Sequence, residues 1–303
     1  MSRLPLLLAI GAIGLACPAH ALTITFDPIA GDSLTGAESQ AFGAAAAAWE
    51  SVLTDPVTVS IAIGFRDLGS NILGQTSIAE VTAPYGSVAA RLALDATSAA
   101  DATAVAHLPA AVPGGSIAMT SADARAIGFA TPAGAIDAQI EFTSNPALPF
   151  QTSRNAGGGI SAGMFDLIGV AEHEIGHALG FVSNVGSDAA YTPLDLFRYQ
   201  SPTPAAGLSH QIGEAASFSI DGGQTSLATF ADGNFYQPSH WSGSVPALMD
   251  PALASGTVQT ITPLDVTALD VIGWDTSVPE PAAAALLAPG LAVLALTRRR
   301  RRA

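Results

Sequence analysis

Apolar and polar residues alternate from Leu22 to Phe26 and, more regularly, from Val57 to Ile63, the period-two pattern of half-buried strands. Between them the Ala-rich stretch Glu38–Leu53, with Trp49 near its end, reads as a helix that Pro56 closes. Gly64–Gly74 reads as a loop, while residues 76–82 and Ala135–Phe142 read as further strands. Residues 84–130 predict a mostly helical insertion, with helices at Ser87–Leu94 and Ser98–Leu108 broken by Pro109, Pro113 and Gly114-Gly115. Asn145–Gly159 is a Pro/Gly/Asn-rich loop that runs up to residues 165–181, where apolar residues recur three and four apart, as in a helix. After Gly180 periodicity is lost for about sixty residues, a length of loop that usually serves function or is ordered by a ligand. It returns at Pro263–Ile272, an amphipathic helix with Leu264, Leu269 and Ile272 toward the core and Gly273-Trp274 at its end. This order predicts an α+β domain: a mixed-sheet lobe over about 22–180 with one central helix, and a smaller irregular lobe over 181–277.

Both ends change the picture. Arg3, the apolar run Leu4–Ala16 and Ala19-His20-Ala21 read as a secretory signal peptide cleaved after Ala21, so residues 1–21 leave the mature chain. At the other end Val278-Pro279-Glu280-Pro281 precedes the apolar run Ala282–Thr297 and five consecutive arginines, Arg298–Arg302. Physically, residues 278–303 are a short membrane segment with a strong positive stop.

Composition narrows the chemistry. The chain has 303 residues, no lysine and a single cysteine, Cys17, which lies in the signal region. No disulfide and no thiolate ligand is therefore expected in residues 22–277. That part carries 5 arginines against 24 acidic residues, a net charge of −19 with histidine neutral. Such a charge argues against nucleic acid or an anionic membrane as a partner. It is compatible with calcium sites in the Asp-rich loops, and equally with charge kept for solubility.

The candidate chemistry lies at His173-Glu174-Ile175-Gly176-His177, an H-E-x-x-H sequence inside the expected helix. On a helix the two histidines leave one face a turn apart, and two nitrogens so placed can occupy two corners of a tetrahedral zinc site. Glu174 would sit beside the metal's open position, where a carboxylate can take a proton from water as it attacks a carbonyl carbon. Burying these three side chains without a metal would be costly, since each needs a partner. His107, among Ala, Val and Leu, reads as a structural histidine.

Two stretches resemble known families. The tail resembles a PEP-CTERM sorting signal, which implies handling by an exosortase-type enzyme and a surface or matrix location in a Gram-negative bacterium. His173-Glu174-x-x-His177-x-x-Gly180 resembles the motif of metzincin zinc metallopeptidases, but the family's usual third ligand would fall at Ser183, a poor ligand. Leishmanolysin-like metzincins place a long segment before that ligand, a histidine followed by tryptophan and then by the methionine of a tight turn. His240-Trp241 and Leu248-Met249-Asp250-Pro251 are similar in type, order and spacing.

The resemblance, over roughly residues 160–275, implies a zincin-like fold, with zinc on His173, His177 and His240 and Glu174 as general base. It implies an exported endopeptidase acting on protein or peptide. His210, Asp188 and Asp195 are rivals for the third position, and Tyr191, Tyr199 and Tyr236 are candidates to assist the oxyanion. A surface or matrix protein with non-catalytic zinc is the competing reading.

Overall fold

The computed structural model describes residues 21–277 except Asp188 and Val245. All but the last residue of the expected signal peptide, and the whole of 278–303, lie outside the described residues. Among the described residues no helix is long and apolar enough to cross a membrane.

The architecture is mixed α and β. Strand β1 (Thr23–Pro28) leads into helix α1 (Gly36–Glu50), then strands β2 (Thr58–Arg66), β3 (Gly74–Ile78) and β4 (Glu80–Pro84). Helices α2 (Tyr85–Asp95) and α3 (Ala99–Ala106) precede strand β5 (Ser116–Thr120), short helix α4 (Ser121–Ala126) and strand β6 (Ala138–Thr143). Two-residue strands β7 (Phe150–Gln151) and β8 (Phe165–Asp166) flank the approach to the central helix α5 (Leu167–Leu179). Strands β9 (Arg198–Gln200), β10 (Ala216–Phe218) and β11 (Ala228–Phe230) and helix α6 (Pro263–Ile272) complete the chain.

The main sheet runs β1-β2-β6-β3. β1, β2 and β6 are parallel, and β3 joins antiparallel at the edge, with Thr76 opposite Ile140. Ala41, Phe42, Ala45, Ala46 and Trp49 form the buried face of α1, at helical spacing. Phe42 stacks on Phe142 of β6 with ring centroids 5.1 Å apart. Thr35 and Glu38 form a reciprocal capping box at the start of α1, satisfying two orphan N–H groups. Helix α1 also packs along α5, so the sheet, α1 and α5 share one core.

Three expectations need correction or refinement. The stretch 76–82 is not one strand: the chain turns at Ala79, and β4 leaves the main sheet to pair with β5. The segment 84–130 is mostly helical as expected, but it also contains β5, whose last four residues are all buried and so show no alternation. The irregular lobe after Gly180 holds a three-stranded antiparallel sheet, β11-β10-β9. Strands of three residues are too short to display a period.

Candidate metal centre

Helix α5 is buried along most of its length, which its Leu, Ile, Val, Ala and Gly content permits. Asp166 stands at its N-cap but leaves the backbone uncapped, because its carboxylate is held by Arg154 at 2.7 Å. Gly180 ends it with φ 127°, a conformation that L side chains rarely adopt. From α1, the indole N–H of Trp49 donates to the carbonyl of Glu172 at 2.8 Å, anchoring α5 next to its histidines.

His173 and His177 leave one face of α5, and His240 comes from the second lobe to meet them. Their Nε2 atoms are 3.1 Å (His173–His177), 3.2 Å (His173–His240) and 3.3 Å (His177–His240) apart. Each Nδ1 instead meets a main-chain carbonyl: Leu248 at 2.8 Å for His173, Phe181 at 2.6 Å for His177 and Gln237 at 3.2 Å for His240. A carbonyl oxygen can only accept, so each Nδ1 carries the ring proton and each Nε2 presents a lone pair.

Three lone pairs in mutual contact repel unless a cation lies between them. Nitrogens bound at about 2.0–2.1 Å at tetrahedral angles are about 3.3 Å apart, close to the distances found here. Burial first, then His173 and His240, hold His177 well below the ordinary imidazole range. Burial and then His173 push His240 down to about 3. Both are thus kept neutral, as ligation requires. His173, His177 and His240 form a group able to hold a metal ion.

A buried frame delivers the third histidine. The guanidinium of Arg198, 1% exposed, donates to the carbonyls of Ala231 and Pro238 and lies over the Phe230 ring. The N–H of Ala231 in turn donates to the carbonyl of His240. Trp241 packs among Phe181, Phe218 and Phe230. Its backbone N–H donates to the carbonyl of Met249. Met249 lies directly under α5: a Cβ on Gly176 would come within 2.6 Å of its sulfur. Asp265, fully buried, accepts from the Trp241 indole and from the backbone N–H groups of Leu248 and Met249. It also closes the capping box of α6 with Thr262. One carboxylate therefore ties the His240 arm, the Leu248–Met249 turn and α6 together.

Glu174, next to His173 in the chain, reaches edge strand β3. Thr76 Oγ1 donates to Glu174 Oε2 at 2.7 Å, and a Cβ on Gly74 would lie 2.7 Å from Oε1. Burial raises the Glu174 carboxyl above its ordinary value, opposed by the neighbouring His173 imidazole and the Thr76 hydrogen bond.

Ser183 and Asp195 are engaged elsewhere. Ser183 donates to Asp195 at 2.6 Å, and Asp195 accepts from the N–H groups of Asn184 and Thr192, so it is a turn-capping residue. His210 is half-buried and stacked on Tyr191, with ring centroids 3.9 Å apart. Asp188 lies outside the described residues. His107 is exposed, and its Nδ1 bonds the Thr103 carbonyl. Of the three tyrosines, Tyr191 and Tyr199 are buried, while Tyr236 sits edge-on to the exposed Phe235.

Sequence reasoning missed Thr76 and Asp265. Thr76 gives no local signal; Asp265 does, since Thr262-Pro263-Leu264-Asp265 has the pattern of a capping box. A cavity of about 690 Å³ lined by Val52, Arg154, Glu172, Ile261 and Val266 does not include the three histidines, so it is no part of this centre. No protein-family model matches the chain, and comparisons with curated proteins and with solved structures find no match either.

Proposed function

We propose that the chain is a zinc-dependent endopeptidase with a zincin-like fold, its active site where His240 meets the two histidines of α5. The observation that carries this reading is the convergence of three Nε2 lone pairs, each set by a carbonyl on Nδ1. Imidazole donors suit zinc, and catalytic zinc sites use three protein ligands with one open position. The group comprises three ligands among the described residues. A structural zinc would usually be closed by a fourth.

A zinc ion held there supplies Lewis acidity, polarising a scissile carbonyl and acidifying water at neutral pH. Glu174 takes the proton as the water oxygen bonds the carbonyl carbon, then delivers it to the leaving amine as the C–N bond breaks. Its burial raises its basicity for that task, while Thr76 holds one oxygen and fixes the carboxylate's orientation. β3 is the free edge of the main sheet and runs past Glu174, so an extended peptide can pair with it as an added strand.

The leishmanolysin-like pattern His240-Trp241…Met249 supports assignment of Met249 to a turn beneath the metal. The end sequences support export, exosortase-type processing of 278–303 and a cell-surface or matrix location.

Elemental analysis of the parent beside His240→Ala, with peptide hydrolysis by the parent beside Glu174→Ala, tests this reading. One zinc in the parent, little in His240→Ala, and a zinc-loaded but inactive Glu174→Ala are expected. Full zinc in His240→Ala, or full activity in Glu174→Ala, overturns the assignment. Inactivity of the zinc-loaded parent across diverse peptides favours the non-catalytic surface protein.

A further inference from the structure

A second group of side chains lies away from the histidines. Asp55 follows α1, Asp95 ends α2, and Asp275 follows α6; one carboxylate oxygen of each lies within 4.8 Å of the others. Two oxygens bound to one calcium at about 2.4 Å can be no more than about 4.8 Å apart, a limit that each pair of these oxygens meets. Asp55 is buried and the other two are half-buried. The backbone already orders the group: the N–H of Asp275 donates to Asp55 at 2.7 Å, and the Thr97 hydroxyl donates to Asp275 at 2.5 Å.

A fourth carboxylate gives the independent sign of a ligand. Asp123, on α4, is 0% exposed, and neither of its oxygens has a hydrogen-bond partner. The charges it feels are those of Asp95 and then Asp55. A buried carboxylate without a partner is among the costliest groups a fold can hold. No positive charge answers these four: among the described residues the ion pairs of arginine go to Asp32, Glu141, Asp137, Asp166 and Glu172. Arg91, beside Asp95, is turned to the carbonyls of Ile127 and Gly128. The chain has no lysine to substitute.

We propose that Asp55, Asp95 and Asp275 bind a calcium ion, with Asp123 adding negative charge from the interior. Carboxylate oxygens are hard ligands and suit calcium, whereas imidazole suits zinc. The ion would clamp the ends of α1, α2 and α6, three elements far apart in sequence, onto the domain that carries α5.

The test is calorimetric titration of calcium chloride into the full chain, loaded with zinc and freed of calcium on a chelating resin. One saturable site per chain and a rise of several degrees in Tm are expected. Asp95→Asn, at a half-exposed position, should bind calcium at least about ten-fold more weakly while keeping its zinc. His240→Ala should lose zinc and keep calcium, so the two sites fail separately. If Asp95→Asn does not fold, terbium luminescence excited through Trp274, next to Asp275, reports on the unaltered chain, and calcium should quench it by displacement. No saturable binding and no Tm shift at about 10 mM calcium, beyond the range of weak extracellular sites, means that the carboxyls are satisfied by protons and overturns the proposal. Undiminished binding by folded Asp95→Asn, or terbium emission that calcium does not displace, overturns it too.

Discussion

The Thr76 hydroxyl lies 2.7 Å from Oε2 of Glu174 and 3.1 Å from the main-chain carbonyl of the same residue, so an edge strand grips both ends of the motif glutamate. Strand and helix are 98 residues apart in sequence. Hydrogen bonds to charged groups contribute about 1.5–3 kcal/mol, and about 1.4 kcal/mol is a factor of ten in rate. Thr76→Val should therefore lower kcat roughly ten-fold or more, leaving zinc content and KM close to the parent. Thr76→Ser should recover most of the loss. Steady-state kinetics with metal analysis decide it; an unchanged kcat in Thr76→Val removes Thr76 from the mechanism.

Gly176→Ala separates helix propensity from packing. In an open helix the change should stabilise by about 1 kcal/mol. Here the new methyl would sit 2.6 Å from the Met249 sulfur and 3.4 Å from the Trp49 ring. Overpacking of this kind costs about 1–3 kcal/mol, so the net effect should be destabilising, with weaker zinc retention as the Leu248–Met249 turn is displaced from His173. Chemical denaturation of the variant beside the parent gives the sign.

Asp265 is expected to matter more than its distance from the chemistry suggests. Asp265→Ala strands the Trp241 indole and two backbone N–H groups, at about 1–3 kcal/mol each. That sum approaches the whole stability of an ordinary domain, so the variant should express poorly. Asp265→Asn keeps one acceptor oxygen and should fold, with a lower Tm and zinc bound less tightly than in the parent. A zinc affinity equal to the parent's would show that the turn is positioned by other contacts.

Stability should fall in acid through Asp137. Burial opposes its ionisation, but the two-pronged Arg125 contact, the Ser121 hydroxyl and the Ser60 N–H outweigh that and lower its pKa below the ordinary 3.8. The folded protein thus binds this proton less readily than the unfolded chain, and the stabilisation is complete above pH 3.8 and lost as pH falls through the lowered value. Arg125→Met leaves the buried carboxylate unpaired, at about 3–5 kcal/mol near neutral pH. Its deficit relative to the parent should shrink on acidification. Urea midpoints of both proteins at neutral and acid pH measure this.

The parts of the fold legible in the sequence were those whose pattern outlasts one turn or one pair of residues. Val57–Ile63 alternates long enough to mark β2, and the i, i+4 pair on α5 places His173 and His177 together. His240 was legible as a resemblance, through Trp241 and Met249, and the side-chain geometry brings it to the other two. What could not be read was set by contacts distant in sequence. Ala79 divides two sheets because its N–H reaches Asp137 and its carbonyl receives Ser121, and nothing at Ala79 announces this. Thr76 is one threonine among many until β3 is laid beside α5.

The interval between His177 and His240, 63 residues, has a mechanical consequence. A chain with one cysteine can form no internal disulfide. An ion shared by these two histidines would do that work instead, as a cross-link closing a 63-residue loop. By the loop-entropy relation used for disulfides such a closure removes about 4 kcal/mol of unfolded-state freedom. Chelation would then do more than silence the chemistry: it would release the β9–β11 lobe from α5, leaving residues 181–240 the first segment open to proteolytic nicking.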